Sequence, residues 1–580
     1  MGWLIGYTWK TENGEVRDQI SAMVKGRLHT VSIPDLEIVA GGIEETCLRG
    51  ESLNDSHPEA KSKWIVCGLG VRADQERSRF LSVADWSRIL AAEKPNLSEI
   101  DGHFVICRWC NGELEFFTDQ LGIRTVYFTQ RPDGIVFSTR IDWITQLADR
   151  PSIDFRQFGS RWLTYNPLSQ ECDITGITRL GQLGHAKVTP HGIFAGHRPW
   201  LMKNVSATPG AYLSHLKALS NPVIPPGRRL SFGLSGGFDS RVLLALLLSR
   251  KTNFRVHIFG DHLSVDVAIA SDIARREGLE YSLYDDAIPG IDDCVGLLRD
   301  YARQAYLGDP ASTGLKLRYY PQLHTEKYFT MDGAFGELSR RMELVGLYHR
   351  GKSALKSRNA LGIIPSLAVH RGHIFNNEVL TMMRTGIESQ LQALIDEMPP
   401  IAEIGMDNFL DLLTIRTRIA HWCSLEQSRV DQAAVNYMPY LQPSLLNIIL
   451  SLPGELRRNA RIMRQIVSVS RPSLRGYSLV KRNTTYPYFF NSVGSYFWTK
   501  SKQRMGLIPP ETTGQKLFTV LKPFVLDTLN SQQVRSFAAY DYRVLSAMVN
   551  DYYEGNLALG NQLDWWLAFE LWREELGLKG

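Results

Sequence analysis

The stretch Leu230-Ser-Phe-Gly-Leu-Ser-Gly-Gly-Phe-Asp-Ser-Arg241, followed at once by Val-Leu-Leu-Ala-Leu-Leu-Leu, holds the residues best suited to chemistry. A serine and two glycines between an apolar strand and an apolar helix can form a tight turn. Its backbone N–H groups then converge on an anion, reinforced by the partial positive charge of the helix N-terminus. Gly236 and Gly237 let a phosphate approach the backbone, Ser235 and Ser240 offer hydroxyl donors, and Asp239 can hold a hard cation such as Mg²⁺. The competing reading is an ordinary loop in which Asp239-Ser240 merely caps a helix. It explains a bare Ser-Gly-Gly but not the complete strand-loop-helix unit, which reads as a phosphate cradle.

Elements of two kinds must position that turn. Around it, a strand over 229–234, a helix over 240–250, a strand over 254–260 and a helix over 265–277 alternate as in a parallel α/β sheet. Earlier in the chain, short β-rich segments at 104–107, 114–118, 125–128 and 135–138 are separated by turns at Asn111-Gly112 and Pro132-Asp-Gly134. That pattern predicts antiparallel sheet. Prolines 209, 222, 225 and 226 crowd a compositional break, placing a boundary near 207 and predicting domains 1–206 and 207–580. Beyond residue 375 the pattern is mainly helical, including 411–428, 445–452 and 563–576. The tryptophans of the last segment read as core.

Composition narrows the class further. The chain has 580 residues, and 65 basic against 60 acidic residues leave +5, too little for a dedicated nucleic-acid binder. Apolar runs such as Val242–Leu248 fall far short of a membrane span of roughly 20 residues. The first residues lack a basic n-region. Seven scattered cysteines fit a reducing compartment. A cytoplasmic protein without nucleic-acid or membrane partners is expected. Cys107 and Cys110 lack a second pair to complete a metal site and read as strand packing. Gly346-Leu-Tyr-His-Arg-Gly-Lys-Ser353 fits a Walker A pattern on paper, but its bulky middle suits a helix. His370 and His373 lack a third ligand and read as a surface loop.

The Ser-Gly-Gly-x-Asp-Ser turn resembles the loop of PP-loop ATP pyrophosphatases, most closely the asparagine-synthetase branch. The resemblance implies ATP and Mg²⁺ as cofactors. Tyr328-Phe-Thr-Met-Asp-Gly-Ala-Phe-Gly-Glu-Leu338 is similar to that branch's second acidic loop. This implies catalytic roles for Asp332 and Glu337, nucleotide contact at Gly333, and a metal held by Asp239 and Glu337, although the acids are spaced differently from the usual pattern. Asp266 matches an acid after the second strand, and Phe259-Gly260 would line the nucleotide pocket. Ser424-Leu-Glu-Gln-Ser-Arg429 with Met438-Pro-Tyr-Leu441 resembles a further family segment, with one extra residue before the arginine. Arg464 and Leu479-Val-Lys-Arg-Asn483 fall where the family has an arginine-bearing helix and a lysine-bearing loop. Lys481 would balance charge on an acyl-adenylate.

Asp101-Gly-His-Phe-Val-Ile, Thr118-Asp-Gln-Leu-Gly-Ile-Arg-Thr-Val-Tyr-Phe128 and Gly134-Ile-Val-Phe-Ser-Thr-Arg-Ile141 resemble the family's class II glutamine amidotransferase domain. That resemblance implies an α+β N-terminal Ntn-hydrolase-like sandwich ahead of an α/β parallel-sheet PP-loop synthetase domain with a helical C-terminal part. A working glutaminase of this kind carries a nucleophilic cysteine where Gly2 stands. No cysteine precedes Cys47, so glutamine hydrolysis is expected to be absent. Two related groups depart likewise, the β-lactam and carbapenam synthetases and the lasso-peptide cyclases, and in both the substrate supplies the amine. β-Lactam synthetases carry a tyrosine in the loop where Asp332 stands. That difference, the insert Leu338–Glu403 and the Gly-Ala-Phe-Gly-Glu loop favour the cyclases. The expected activity is ATP-dependent macrolactam formation in a precursor peptide, with a leader peptidase and a leader-recognition protein as partners. A small-molecule amide synthetase, an ammonia-dependent asparagine synthetase and an inactive ATP-binding scaffold stay open.

Overall fold

The computed structural model describes residues 2–9, 14–53, 61–110, 113–189, 192–285, 287–340, 344–481, 484–507 and 512–579. The turn expected at Asn111-Gly112, and Arg482 and Asn483 of the lysine-bearing loop, lie outside them. In the first 200 residues Trp3–Trp9 runs between Gly134–Ser138 and Leu36–Gly41 in a six-stranded antiparallel sheet. Asp101–Cys110 runs between Lys61–Ala73 and Glu113–Thr118 in a seven-stranded one. Inward side chains from both sheets, among them Leu4, Ile38, Ile65, Cys107, Phe116 and Phe137, share one core, as face-to-face sheets require. The expected sandwich is therefore present, although the strand anticipated from Thr125 starts at Tyr127. Cys107 and Cys110 sit on one strand as free thiols, three residues apart and so on opposite faces.

Beyond the sandwich, five strands form a wholly parallel sheet in the spatial order Tyr281–Tyr284, Arg255–Phe259, Arg229–Gly233, Tyr328–Met331, Val435–Tyr437. The chain first builds outward from the central strand to one edge, then returns to its other side. The switch point lies between Arg229–Gly233 and Tyr328–Met331, and a crevice forms outside the carboxyl ends of strands at such a point. Asp239–Ser249 is buried almost along its whole length by its leucines, which explains its continuous apolar run in place of an amphipathic stripe.

The expected helix over 411–428 is not uniform. It is an α-helix at Ile401–Thr414, a π-helix at Ile415–Cys423 and an α-helix again at Ser424–Ala433. Wider turns leave carbonyls poorly served within the helix, and an arginine from the sandwich half takes one. Arg179 donates to the Ala420 carbonyl (2.9 Å) and to Ser424 Oγ (3.3 Å). The C-terminal helix Gly560–Glu575 carries Trp565, Trp566 and Trp572 into a core shared with Trp3, Phe158 and Trp162 of the first half. The Walker-like segment is helical at Val345–Arg350 and Lys352–Lys356, and His370 and His373 are exposed in a loop. Among the described residues no helix is long and apolar enough to cross a membrane.

Candidate functional site at the switch point of the parallel sheet

The central strand ends at Gly233 and the next helix starts at Asp239, so the cradle residues occupy the turn between them. Three of its backbone N–H groups are satisfied internally. Gly236 N–H donates to the Asp266 carboxylate (3.1 Å), Gly237 N–H to Ser235 Oγ (3.2 Å) and Ser235 N–H to Ser240 Oγ (3.3 Å), while the two hydroxyls lie 3.0 Å apart. Side-chain oxygens thus occupy the positions that anionic oxygens would take. Burial raises the Asp266 pKa, which eases surrender of that place to a more strongly charged anion. A Cβ on Gly236 would fall 2.5 Å from Val480 Cγ2, so glycine is required there by the lysine-bearing hairpin. Arg241 binds hairpin and turn together by donating to the carbonyls of Tyr477 (2.7 Å), Ser478 (2.7 Å) and Gly236 (3.2 Å).

Asp239 is the cradle's anomalous group. Arg340 donates to its Oδ2 at 2.6 Å, while Oδ1 is buried without a hydrogen-bond partner among the described residues. Burial pushes its pKa up, Arg340 pulls it down and nearby Glu337 pushes it up again. An orphaned, buried carboxylate oxygen is costly. With a second acid beside it, this donor set suits a hard divalent cation. Asp239 and Glu337, the expected metal pair, are near enough to act on one another, and Arg340 feels the charge of both.

Asp332 follows the strand Tyr328–Met331 and faces the same crevice. Its carboxylate accepts from Ala334 N–H (2.9 Å) and Asn436 Nδ2 (2.7 Å), and burial raises its pKa. A Cβ on Gly333 would meet the Ser240 backbone nitrogen at 2.8 Å, and one on Gly336 the Asp239 carboxyl carbon at 2.4 Å. Two glycines therefore let the acidic loop lie directly on the cradle. Phe259 and Gly260 close the neighbouring strand. Gly260 has φ +134°, a conformation open essentially to glycine, and Phe259 stacks on Tyr319 with centroids 5.6 Å apart. Lys481 ends the strand Leu479–Lys481, one residue after Val480, whose N–H donates to the Gly236 carbonyl (3.2 Å).

Several groups that sequence reasoning left without a role belong to this site. Glu426, noted only within a motif, has its pKa pushed up to about 7. The causes are burial, then the carboxylates of Asp309 and Asp332, against Lys316 and Arg429. Solvent still reaches the Glu426 side chain. Desolvation is thereby weakened, and the like-charge crowding sustains the upward direction. Lys316 also acts electrostatically on Asp266. Arg340 and Asn436 carry no sequence signal of their own, and Tyr440, whose hydroxyl donates to the Asp239 carbonyl (3.2 Å), is read only within a motif. Only the topology brings them together.

A chain of hydrogen bonds leads from Asp332 into the sandwich. Asn436 Nδ2 also donates to Gln427 Oε1 (3.1 Å), Gln427 Nε2 to Asp431 Oδ1 (2.6 Å), Arg124 Nη1 to Asp431 Oδ2 (2.5 Å) and Arg124 Nη2 to the Gly2 carbonyl (2.6 Å). Arg124 is fixed by the turn before it, where Asp119 accepts from the N–H groups of Phe104, Leu121, Ile123 and Arg124. This is the structural content of Thr118-Asp-Gln-Leu-Gly-Ile-Arg. At Gly2 there is no room for a side chain. A Cβ would lie 2.3 Å from the Thr46 carbonyl oxygen and 2.8 Å from Cys47 Cβ.

The class that emerges is a two-sheet antiparallel sandwich joined to a parallel α/β sheet with a polar crevice at its switch point. No protein-family model matches the chain, and no curated protein matches it. Among solved structures it is similar to the glutamine phosphoribosylpyrophosphate amidotransferase from B. subtilis complexed with ADP and GMP. Identity there is 10% and the TM-score 0.21, covering 48% of this chain and 65% of that one. A second similar structure is that of an allosteric regulatory enzyme of purine biosynthesis, with 11% identity and a TM-score of 0.20, covering 50% and 75%. Likeness at this level carries no argument about chemistry.

Proposed function

We propose that this chain is an ATP-dependent carbon–nitrogen ligase that forms an amide within one substrate molecule, with ATP as the second substrate. The observation that carries the reading is the convergence at one switch point of a glycine-rich anion turn, the half-satisfied Asp239 and the crowded carboxylates Asp332 and Glu426. A carboxylate oxygen of the substrate attacks the α-phosphorus, the bond to pyrophosphate breaks, and the carboxyl carries AMP. A tethered amine then attacks the acyl carbon, AMP leaves, and the amine proton passes to Glu426, whose raised pKa suits a base working near neutrality. Asp239 and Glu337 would hold Mg²⁺, which supplies charge neutralisation at the phosphates. Lys481 faces negative charge developing at the acyl centre, and tethering supplies the proximity that a delivered ammonia molecule would otherwise need.

In the finer reading the substrate is a precursor peptide and the product its macrolactam, as in lasso-peptide cyclases, made alongside a leader peptidase and a leader-recognition protein. The filled position at Gly2 supports a sandwich half that packs and positions rather than hydrolyses glutamine. The test has two stages. Calorimetry should detect MgATP binding that Asp239→Ala abolishes. Peptides with a free N-terminal amine and an internal Asp or Glu should release pyrophosphate and lose one water in mass. A protein that binds no nucleotide, or binds it equally well as Asp239→Ala, sinks the proposal.

A further inference from the structure

Between residues 456 and 510 the chain has eleven Lys and Arg and no Asp or Glu, although the whole chain balances 65 basic against 60 acidic residues. Some of these cations are neutralised from outside the segment: Arg457 by Asp411, Arg458 by Asp407 and Arg471 by Glu277. Arg464, Arg475, Lys500, Lys502 and Arg504 have no carboxylate at ion-pair distance among the described residues. Arg464 and Lys502 instead donate to backbone carbonyls, of Phe490 (2.8 Å) and Thr485 (3.1 Å).

The same segment presents large apolar side chains to solvent. Phe489 is 78% exposed, Phe497 64%, Val493 61% and Tyr496 53%. A cluster of this kind on an otherwise well-buried protein marks a binding surface. The cations lie level with the rings, Lys500 over Tyr496 at 6.0 Å and Lys502 over Trp498 at 5.5 Å. Buried rings also tie the face to the cradle. Phe238 stacks on Tyr488 (5.6 Å), Arg464 lies over Tyr488 (5.0 Å) and holds the Phe490 carbonyl, and Phe490 meets Trp498 edge-on (5.6 Å). Trp498 Nε1 in turn donates to the Thr485 carbonyl (3.0 Å) of the hairpin that carries Lys481.

We infer that the aromatic and basic face formed by residues 484–507 is a docking surface for an acidic, apolar-bearing peptide segment, the part of the substrate chain that lies outside the reacting crevice. The inference rests on the ligase reading for the identity of its occupant. Its physical basis is independent of it: uncompensated positive charge asks for carboxylates, exposed rings ask for apolar side chains, and the Lys481 hairpin, to which Trp498 is hydrogen-bonded, sets the face beside the crevice, where a chain leaving the crevice would lie. An anionic membrane would satisfy the first two demands but not the third.

The test uses the full-length protein and fluorescein-labelled 16-residue peptides of alternating Glu and Leu, alternating Lys and Leu, and vesicles of equal phosphatidylglycerol and phosphatidylcholine. The acidic peptide should bind about tenfold or more tightly than the basic one, a margin of about 1.4 kcal/mol. Phe489→Ser with Phe497→Ser should weaken it at least about fivefold, and Lys500→Glu with Arg504→Glu should abolish the preference for acid. These side chains are exposed, and unchanged thermal unfolding of both double variants checks that folding is intact. Equal affinity for the two peptides, indifference to all four substitutions, or adsorption to the vesicles in place of the acidic peptide overturns the inference. Calorimetry with MgATP separates the two readings. Peptide binding that needs these residues in a protein that ignores ATP keeps the surface and removes the ligase, whereas ATP binding with peptide indifference does the reverse.

Discussion

The surroundings of Gly2 and of Asp239 are the instructive pair. At Gly2 the space for a side chain is taken by the Thr46 carbonyl and Cys47, and the carbonyl of Gly2 is itself engaged by Arg124. At Asp239 a buried carboxylate oxygen has no hydrogen-bond partner among the described residues, and the N–H groups of Ser235, Gly236 and Gly237 are turned onto side-chain oxygens that can yield. Closure with all polar groups satisfied belongs to a structural joint. A buried polar group left wanting belongs to a place that receives something.

The sharpest way to break that contrast is Asp239→Ala. Pyrophosphate release should fall at least about a thousandfold, the upper range for losing a preorganised electrostatic contact, and the melting temperature should fall as well, because Arg340 loses its ion-pair partner. Asp431→Ala should act mainly on stability. It strands Arg124 between the halves and should cost about 3–5 kcal/mol in urea unfolding, and full stability would show that the connecting chain of hydrogen bonds is idle. Gly2→Cys should destabilise by about 1–3 kcal/mol through overpacking and yield no glutaminase activity. Ammonia release from glutamine by that variant would show the joint to be a dormant site. The smallest effects are in pH. Because Glu426 must be ionised to accept a proton, turnover should rise as pH passes its raised folded pKa, and Glu426→Gln should flatten the profile.

Asp101 gives a second pH signature, in stability. Burial raises its pKa to about 6, while Ser444 N–H (2.9 Å) and the Ser444 hydroxyl donate to it and pull the pKa the other way. The folded state therefore binds this proton more tightly than the unfolded chain. Its contribution is complete below about pH 4 and is lost as pH rises through about 6. Asp101→Asn should remove that slope from unfolding curves recorded between those values.

Much of the crevice was legible because its residues are close in sequence. The strand-turn-helix at 229–250 declares itself by Gly, Ser and an apolar run, and Asp332 by the strand before it. Glu426 and Arg340 were not legible as a site. Their roles depend on a π-helical stretch and on two glycine contacts that no periodicity encodes. Gly333 reads as a nucleotide contact by resemblance and Gly336 only as a loop residue; that both must be glycine shows in the close approach of the cradle helix. The basic segment at 456–510 was fully legible in charge. It passes unseen when charge is totalled over the whole chain, where acids elsewhere cancel it.

The C-terminal helix has a practical consequence. Its tryptophans complete the core of the first half, Phe158 stacks on Trp572 at 5.8 Å, and Ile153 and Lys579 are joined by a backbone hydrogen bond of 3.0 Å. Cutting the gene between its sandwich-coding and sheet-coding parts would bare one wall of indoles on one fragment and the matching hollow on the other. Expressed separately, each fragment should precipitate; co-expressed, the two should rescue one another, and a tag fused after the last residue should be tolerated only with a spacer long enough to clear Pro151.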